Sequence, residues 1–368
     1  MTSQKKGVTL ITKVDLENDI GVLSKLREIQ NTLRSYGYSP HIQNVRGDNV
    51  PATIMEAYRK IQQSNSKIII IRSFGVLNSW LLPIFILCRL KGVLLIMDMP
   101  TPRYSALHEM LPLKKGIGKF SYLFQHYMHG PWSLWVYNRV IQYGNESRYF
   151  LFGNKKRTVL MGNSIDVNRI AVRERNYDWP TDELKLIAVA KLSNHHGYDR
   201  LLTAIRVWNS SNKDIKLTLT LIGDGNMESK LRRQVDELDV KNCVIMPGRM
   251  ETKEIHEQYS THHLAVSSLG LYRLGLHCSG VLKAREYCLV GIPFLAAGDD
   301  PDFDVSCPFR YEVKNEDEVD SILEQIELFL ETRDQYTDQE IRDYAIKHLS
   351  FESKLERMGI PDLRDHRE

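Results

Sequence analysis

The amino-acid sequence predicts an α/β fold in two domains, each a parallel sheet flanked by helices. The chain has 368 residues, which is more than one hydrophobic core usually organises. Short apolar runs alternate with segments of helical periodicity along the chain. The alternation starts afresh after a polar stretch around Trp179-Pro180. We therefore expect two Rossmann-like domains of comparable size whose parallel sheets face each other across a cleft.

Composition narrows the class of protein. Hydrophobic residues make up 42% of the chain and charged residues 26%, as in soluble globular proteins. The net charge of +3 is too small for a chain of this size to indicate nucleic-acid binding. The five cysteines are scattered without a CxxC pair, which favours reduced thiols over disulfides or a zinc site. The N-terminus lacks the pattern of a signal peptide, and no apolar run reaches the ~20 residues that span a bilayer, so we expect a cytoplasmic protein.

In the first half, strands are predicted at residues 8–12, 41–45, 67–71 and 93–97, and helices at residues 22–35 and 53–63. A further short strand is predicted within residues 157–166. The fourth strand runs into Asp98-Met99-Pro100-Thr101-Pro102. Ligands of open parallel sheets bind beyond the carboxyl ends of the strands, so Asp98 and Thr101 are candidates for chemistry. A proline-stiffened turn with an incidental aspartate is an equally open explanation.

Residues 114–137 mix basic and aromatic side chains. Lysines beside Phe120, Tyr122, Phe124, Trp132 and Trp135 suit a surface that contacts anionic lipid headgroups. An aromatic helix packed in the core is the more frequent explanation of such a pattern. Both explanations stay open from the sequence.

In the second half, strands are predicted at residues 184–190, 217–222, 243–246, 264–267 and 292–296. Helices are predicted at residues 198–208, 227–238, 252–258, 281–290, 319–331 and 338–348.

Polar groups follow three of these strands. The first strand is followed by a loop with Lys191, His195, His196 and Arg200, and the second by Gly223-Asp224-Gly225. Basic side chains can neutralise a diphosphate, and glycine lets a ligand approach the backbone closely. The third element is Ser279-Gly280, where a serine would cap a helix whose N-terminus favours an anion. We expect these loops to converge on one anion site.

The helix that begins there places Ser279, Lys283 and Glu286 on one face. A ligand face would combine a phosphate at the helix N-terminus with a sugar hydroxyl at the carboxylate. The alternative is a surface helix with a solvated lysine–glutamate pair. Further on, Gly298-Asp299-Asp300-Pro301-Asp302 could be interpreted as a Mg²⁺ or Mn²⁺ site, but an acidic turn is the favoured interpretation.

These motifs resemble a family. The chain resembles the retaining nucleotide-sugar glycosyltransferases of family four, which have the GT-B fold, and within them the bacterial capsule, exopolysaccharide and O-antigen branch. The motifs that carry the resemblance are DMPTP, GNSID, AKLSNHHGYDRLL, LIGDG and SLGLYRLGLHCSGVLKAREYCLVGIPF. Family members have two carboxylates eight positions apart in the last motif; the second is Glu286 here, whereas Cys278 stands at the first. Lys191 and His196 lie where the family has an arginine and a lysine.

The resemblance implies a donor site in residues 171–349. Glu286 would accept hydrogen bonds from ribose hydroxyls, and Lys191, helped by Arg200, His196 or Lys283, would neutralise the diphosphate. Glycines 223 and 225 and the backbone of Ser279, Gly280, Val281 and Leu282 would meet the nucleotide phosphates. Positive charge would do what a metal does elsewhere, so neither a metal nor another cofactor is expected.

The acceptor is expected in residues 1–170, near Asp98, Thr101 and Arg103 and the loop from Asp19 to Gly21. A helix at about 350–368 is expected to pack back on this domain. Lys191, Arg200 and Asp98 are the candidate catalytic residues, without a nominated base, because the resemblance implies front-face attack assisted by the leaving phosphate.

The resulting hypothesis is a metal-independent hexosyltransferase that moves a sugar from a nucleoside-diphosphate sugar to a saccharide or lipid-linked oligosaccharide in cell-surface polysaccharide synthesis. It would work in the cytoplasm, with peripheral contact to the inner membrane face. One alternative is a catalytically weakened subunit that binds nucleotide sugar and supports a partner transferase. Another is a sugar-nucleotide epimerase or hydrolase on the same architecture.

Overall fold

A computed structural model describes residues 6–13, 20–72, 74–129, 131–146, 148–151, 154–177, 182–211, 213–304 and 307–360. The chain divides into two compact units. The first unit comprises Met1–Ser164 and Phe351–Glu368, and the second comprises Ile165–Ser350.

The first unit contains one six-stranded parallel sheet in the order β2-β1-β3-β4-β5-β6. Its strands are β1 (Gly7–Thr12), β2 (Ser39–Asn44), β3 (Ile68–Arg72), β4 (Leu94–Met99), β5 (Arg139–Gln142) and β6 (Thr158–Leu160). Its helices are α1 (Ile20–Ser35), α2 (Val50–Gln63), α3 (Leu82–Leu90), α4 (Arg103–Met110), α5 (Gly116–His129) and α6 (Arg148–Leu151). Short 3-10 turns complete the connections.

The apolar run of β3 explains its place inside the sheet. Ile68, Ile69, Ile70 and Ile71 are all buried, and Ile70 pairs with Leu10 on one side and Ile96 on the other. A strand that is buried on both faces needs apolar side chains at consecutive positions, because neither face meets water.

The second unit repeats the architecture with a six-stranded parallel sheet in the order β12-β11-β10-β7-β8-β9. Its strands are β7 (Glu183–Val189), β8 (Lys216–Ile222), β9 (Val244–Gly248), β10 (Leu264–Val266), β11 (Phe294–Ala297) and β12 (Arg310–Val313). Its helices are α7 (Tyr198–Ser210), α8 (Glu228–Glu237), α9 (Thr252–Thr261), α10 (Leu282–Val290), α11 (Asp320–Thr332) and α12 (Asp338–Tyr344), and α12 continues as a π-helical turn, Ala345–Leu349. The predicted α/β class with parallel sheets in two Rossmann-like units is confirmed.

The chain passes between the units twice. The sequence-based boundary followed residue 170, whereas the second unit begins at Ile165, whose N–H donates to the carbonyl of Leu349 at 3.1 Å. Arg173 then holds this segment to the second unit through a buried ion pair with Asp338 at 2.8 Å. After Ser350, helix α13 (Phe351–Met358) returns to the first unit.

Helix α13 belongs to the core of the first unit. Phe351, Leu355 and Met358 are buried in one cluster with Leu26 and Ile29 of α1. Within the described residues, no helix combines the length and the apolar character that crossing a bilayer requires.

Candidate functional site

The carboxyl ends of β7 and β8 open onto a cavity of about 570 Å³ in the second unit. The two strands are neighbours in the sheet, so the loops that follow them lie side by side. Residues of both loops, of the segment after β9 and of α9 line the cavity: Val189, Ala190, Lys191, Ile222, Gly223, Asp224, Arg249, Met250 and Ile255. The structure thus brings Lys191 and Gly223 together, which the sequence placed in separate loops.

Both glycines after β8 are required by backbone packing. Gly223 has φ +123°, and a Cβ atom there would lie 1.9 Å from the carbonyl oxygen of Ala190. Gly225 has φ +153°, and a Cβ atom there would lie 2.2 Å from the carbonyl oxygen of Leu192. Since no side chain fits, these glycines hold the second loop against the backbone that carries Lys191.

The cavity is bordered by charged side chains. Lys191 is exposed, and Arg249 lies with its Nε 3.8 Å from the Oδ2 of Asp224. The border therefore carries two cations and one carboxylate, a balance that favours an anionic ligand.

The two histidines after β7 have lowered pKa values. His196 is buried, and its Nδ1 accepts a hydrogen bond from the Ser193 N–H at 3.2 Å. Burial, with Lys283 and His195 nearby, lowers the pKa of His196 to about 2. Burial and Lys283 also lower the pKa of His195. His196 can donate a hydrogen bond from Nε2 but supplies no positive charge at neutral pH.

Lys283 reaches this histidine pair from α10. Its Nζ donates to the Tyr198 hydroxyl at 3.1 Å and lies 5.3 Å from the centre of the Tyr198 ring. The Tyr198 ring in turn lies 5.5 Å from that of His196. Burial lowers the pKa of Lys283 to about 7, so this amine is poised between its charged and neutral forms at neutral pH.

Helix α10 begins at Leu282 with Val281 as its N-cap, and no side chain caps it. The predicted serine cap is therefore wrong. Ser279 lies two positions before Val281, and its N–H donates to the carbonyl of Asp299 at 2.9 Å. Ser279 and Gly280 thus lead into the helix beside the turn that follows β11, while the first turn of α10 presents backbone amides at its N-terminus.

One tyrosine connects α10 with two strands, and a second connects it with α9. The Tyr287 hydroxyl accepts from the Val189 N–H at 3.3 Å and donates to the Val266 carbonyl at 3.2 Å. Glu286, which is partly exposed, lies with its Oε1 3.5 Å from the Tyr259 hydroxyl. Tyr259 lies one helical turn beyond Ile255, a residue of α9 that lines the cavity. Glu286 therefore contacts the same helix that contributes to the cavity lining.

Cys278 is buried behind this helix start. Burial, together with Asp300, Asp299 and Asp302, raises the pKa of its thiol to about 12. The side chain at this position is therefore neutral and differs in charge from the carboxylate that the family pattern has there.

The acidic turn after β11 serves a buried arginine. Arg285 is fully buried, and its Nη2 lies 2.6 Å from Asp300 Oδ1 and 2.6 Å from Asp302 Oδ2. Its Nη1 also pairs with Asp300. These carboxylates belong to an acidic turn, as the favoured interpretation has it, and they pair with Arg285. Among the described residues, no cluster of three metal-ligating side chains occurs.

Arg200 is directed into the protein. The guanidinium is buried and donates to the backbone carbonyls of Leu269, Lys314 and Glu318. It is not among the residues that line the cavity. This arrangement favours a positioning role for Arg200, holding the loop after β10, over direct contact with a phosphate.

In the first unit, Asp98 is buried at the carboxyl end of β4. Its Oδ2 pairs with Arg72 Nη1 at 3.0 Å, and within the described part of the chain its Oδ1 has no hydrogen-bond partner. Lys25 of α1 interacts electrostatically with both groups; burial, partly offset by Asp98, lowers the pKa of Lys25 to about 8. This cluster of charges lies beside the strand end that the sequence singled out.

The other acceptor-side candidates have different environments. Thr101 is exposed, whereas Arg103 is buried and donates from Nη2 to Ser133 Oγ at 3.1 Å. Burial lowers the pKa of Arg103 to about 10. Glu146 accepts from the amides of Arg103 and Tyr104 at the start of α4. Gly21 is in the first turn of α1, and Asp19 lies outside the described residues.

Several site residues were missed from the sequence. Tyr198, Arg249, Arg72 and Lys25 all lie near predicted site residues but were not singled out, although Tyr198 lies within the motif AKLSNHHGYDRLL. Arg72, at the end of β3, could have been found by the strand-end argument that identified Asp98, because β3 and β4 are neighbours.

The second unit matches a family model. Residues 172–348 match the model described as "Glycosyl transferases group 1". No curated protein matches the chain.

Solved structures share the fold over almost the whole chain. A glycosyltransferase from Rickettsia africae ESF-5 is 13% identical, aligns 96% of this chain with 97% of its own, and has a TM-score of 0.61. The apo form of WaaB, a lipopolysaccharide outer core galactosyltransferase, is 10% identical, with 96% and 98% coverage and a TM-score of 0.65. HepE from Anabaena, solved in complex with UDP, is 12% identical, with 96% and 98% coverage and a TM-score of 0.59.

The family match is confined to the second unit, whereas the shared fold extends over almost the whole chain. At these identities the structural likeness shows the fold alone. The finer expectations, namely family four, the retaining mechanism and the capsule or O-antigen branch, are taken up as proposals.

Proposed function

We propose that the protein transfers a sugar, with retention of configuration, from a nucleoside-diphosphate sugar to a saccharide or lipid-linked acceptor of cell-surface polysaccharide synthesis. The observation that carries the proposal is the cavity at the ends of β7 and β8, with Lys191 and Arg249 at its border, in the unit that matches the glycosyltransferase model. HepE, which has the same fold, was solved with UDP.

In this proposal the second unit holds the donor. The cavity takes the nucleoside, Glu286 accepts hydrogen bonds from ribose hydroxyls, and the diphosphate extends toward Lys191, Lys283 and the first turn of α10. A helix N-terminus and two ammonium groups together favour a dianionic diphosphate.

Transfer then depends on stabilising the departing diphosphate. Lys191 and Lys283 supply positive charge where the leaving group develops negative charge, and His196 donates a neutral hydrogen bond. This charge makes a metal unnecessary in the proposal. Asp98 and Arg72, with Thr101 nearby in sequence, are assigned to the acceptor.

The test measures acceptor-dependent release of nucleoside diphosphate from a panel of nucleotide sugars, with and without a chelator. Nuclear magnetic resonance of the product then determines the anomeric configuration of the new linkage. Retained anomeric configuration and undiminished turnover with the chelator are expected. Inverted configuration would contradict the retaining mechanism. No turnover with any donor would contradict the assignment as a transferase.

The neutral Cys278 and His196 favour a second candidate, a weakened subunit that binds donor and supports a partner transferase. The two candidates differ in the response to Cys278→Glu. A gain in donor turnover would indicate a weakened site, whereas a loss would indicate that the thiol is adapted to its own donor. Cys88→Ser, a buried thiol of the first unit, is the control.

A further inference from the structure

Helix α5 exposes apolar side chains along one face. Ile117 is 88% exposed and Phe120 72%, and Phe124 and Met128 continue the row. These positions follow helical spacing, so they form one continuous face, called here the α5 outer face (Ile117, Phe120, Phe124 and Met128). A helix of a globular protein normally turns such a face toward the core, and an exposed apolar face of this kind marks an interaction site.

The orientation of α5 is held by its opposite face. His126 is buried, and its ring meets that of Phe150 edge-on at 6.2 Å. The Tyr122 ring lies 4.5 Å from that of His126 at an angle of 55°, and its hydroxyl donates to the Ala106 carbonyl at 3.4 Å. Core packing therefore accounts for the inner residues of the aromatic stretch but leaves the α5 outer face in solvent.

The charged residues of this stretch of the chain have one sign. Residues 110–145 contain neither aspartate nor glutamate. Three exposed lysines, called here the lysine rim (Lys114, Lys115 and Lys119), lie just before and within α5. Exposed Trp132 and Trp135 follow the helix.

Exposed apolar side chains beside lysines favour a lipid surface over a protein as the partner of this face. Protein interfaces are depleted of lysine, whereas lysine beside exposed aromatic and aliphatic side chains is the pattern of helices that lie in the headgroup region of anionic bilayers. Tryptophan also prefers that region, because its ring is apolar and its N–H is polar.

We propose that the α5 outer face inserts into the headgroup region of an anionic membrane while the lysine rim contacts lipid phosphates. This binding is separate from donor binding, because every residue involved belongs to the first unit. It would bring the first unit to the surface where a lipid-linked acceptor resides.

Sedimentation of the full chain with vesicles tests the proposal. Vesicles of phosphatidylcholine with phosphatidylglycerol should bind the protein, vesicles of phosphatidylcholine alone should bind it much less, and added salt should weaken binding. Phe120→Ser should lower the partition coefficient about tenfold. Lys119→Ala should lower it about fivefold.

Matched controls are available on the same unit. Met55 is 73% exposed on α2, and Lys67 is exposed before β3, so Met55→Ser and Lys67→Ala should leave partitioning unchanged. Circular dichroism and urea unfolding, which follow both units, verify that each variant is folded.

Three results would overturn the proposal: no binding of the wild type to anionic vesicles, equal binding to both kinds of vesicle, or unchanged binding by Phe120→Ser. A dimer that Phe120→Ser dissociates, with no vesicle binding, would assign the face to a second copy of the chain. Because vesicle binding is measured without donor or acceptor, its failure is distinguishable from failure of the proposed transferase function.

Discussion

At the scale of residues, Lys283 links donor binding to pH. Its pKa is lowered to about 7 by burial, while His195 and His196 have pKa values below their ordinary range. A bound diphosphate favours the ammonium form, so its binding takes up a proton above pH 7. Affinity for a nucleotide sugar should therefore fall as pH rises, by about tenfold between pH 6 and pH 8 if the bound pKa is well above 8.

Titration calorimetry with UDP-glucose measures this, because its diphosphate has no proton to lose in that range. Lys283→Met should abolish most of the pH dependence, and Lys230→Met, an exposed lysine of α8, should preserve it. An affinity that rises with pH, or a pH dependence that survives Lys283→Met, would contradict the placement of Lys283 at the diphosphate.

Arg285 is predicted to be essential for the stability of the second unit. Arg285→Met would leave Asp300 and Asp302 buried together without their cation, which typically costs about 3–5 kcal/mol. Urea unfolding measures the loss. The exposed pair of Lys213 and Glu327 is the control, and Lys213→Met should cost less than about 1 kcal/mol. If Arg285→Met lost as little unfolding free energy as Lys213→Met, the buried cluster would contribute little to stability.

At the scale of elements, the loop after β8 should tolerate no side chain at Gly223. Gly223→Ala would place a Cβ against the Ala190 carbonyl, displace the backbone next to Lys191 and weaken donor binding together with stability. Gly248→Ala is the matched control, because Gly248 also has positive φ, at +85°, but has nothing within 4 Å of the added Cβ. Both variants share the backbone strain of a positive φ, but only Gly223→Ala adds the clash with the Ala190 carbonyl. Thermal unfolding and UDP binding of the two variants therefore separate these two effects. Equal effects of the two variants would refute the packing argument.

The strands that the sequence predicts most directly are those with long apolar runs. β3 and β8 were found because continuous or alternating apolar residues signal a strand directly. β5 and β12 were missed: β5 has only two consecutive apolar residues, Val140 and Ile141, and β12 alternates charged and apolar side chains at the edge of its sheet. The edge strand has an open side, so its sequence is less constrained.

The candidate site was predictable only in part, because some of its contacts join segments that are far apart in the sequence. Strand-end reasoning identified Lys191 and Gly223, which depend on local order along the chain. It could not show that Arg200 is directed at backbone carbonyls or that Arg285 holds the acidic turn, because both facts depend on contacts between distant segments. The basic and aromatic residues of 114–137 likewise left a lipid-contacting surface and a core helix both open, because the sequence does not show which side chains of α5 meet solvent.

At the scale of the whole molecule, the first unit depends on the end of the chain. Ending the chain at Ser350 would remove Phe351, Leu355 and Met358 from the core around α1. At roughly 1.5–3 kcal/mol for each buried apolar side chain, the first unit should lose several kcal/mol and unfold first. A chain that ends at Ile360 is the control and should keep its stability.

Donor binding should respond differently to the truncation. The cavity and the residues around it lie within Ile165–Ser350, so the shortened chain should still bind UDP although it no longer transfers sugar. Spectroscopic unfolding with and without UDP measures both effects. Loss of UDP binding on truncation would contradict the assignment of the donor to the second unit alone.

The central claim is that sugar transfer is carried by the cation at the end of β7. The most direct measurement is the rate of acceptor-dependent nucleotide release by Lys191→Ala, compared with Lys230→Ala as an exposed lysine away from the cavity. The account predicts a loss of about 10²-fold or more for Lys191→Ala, because an electrostatic contact to the leaving group is removed, and wild-type turnover for Lys230→Ala. Wild-type turnover by Lys191→Ala would contradict it.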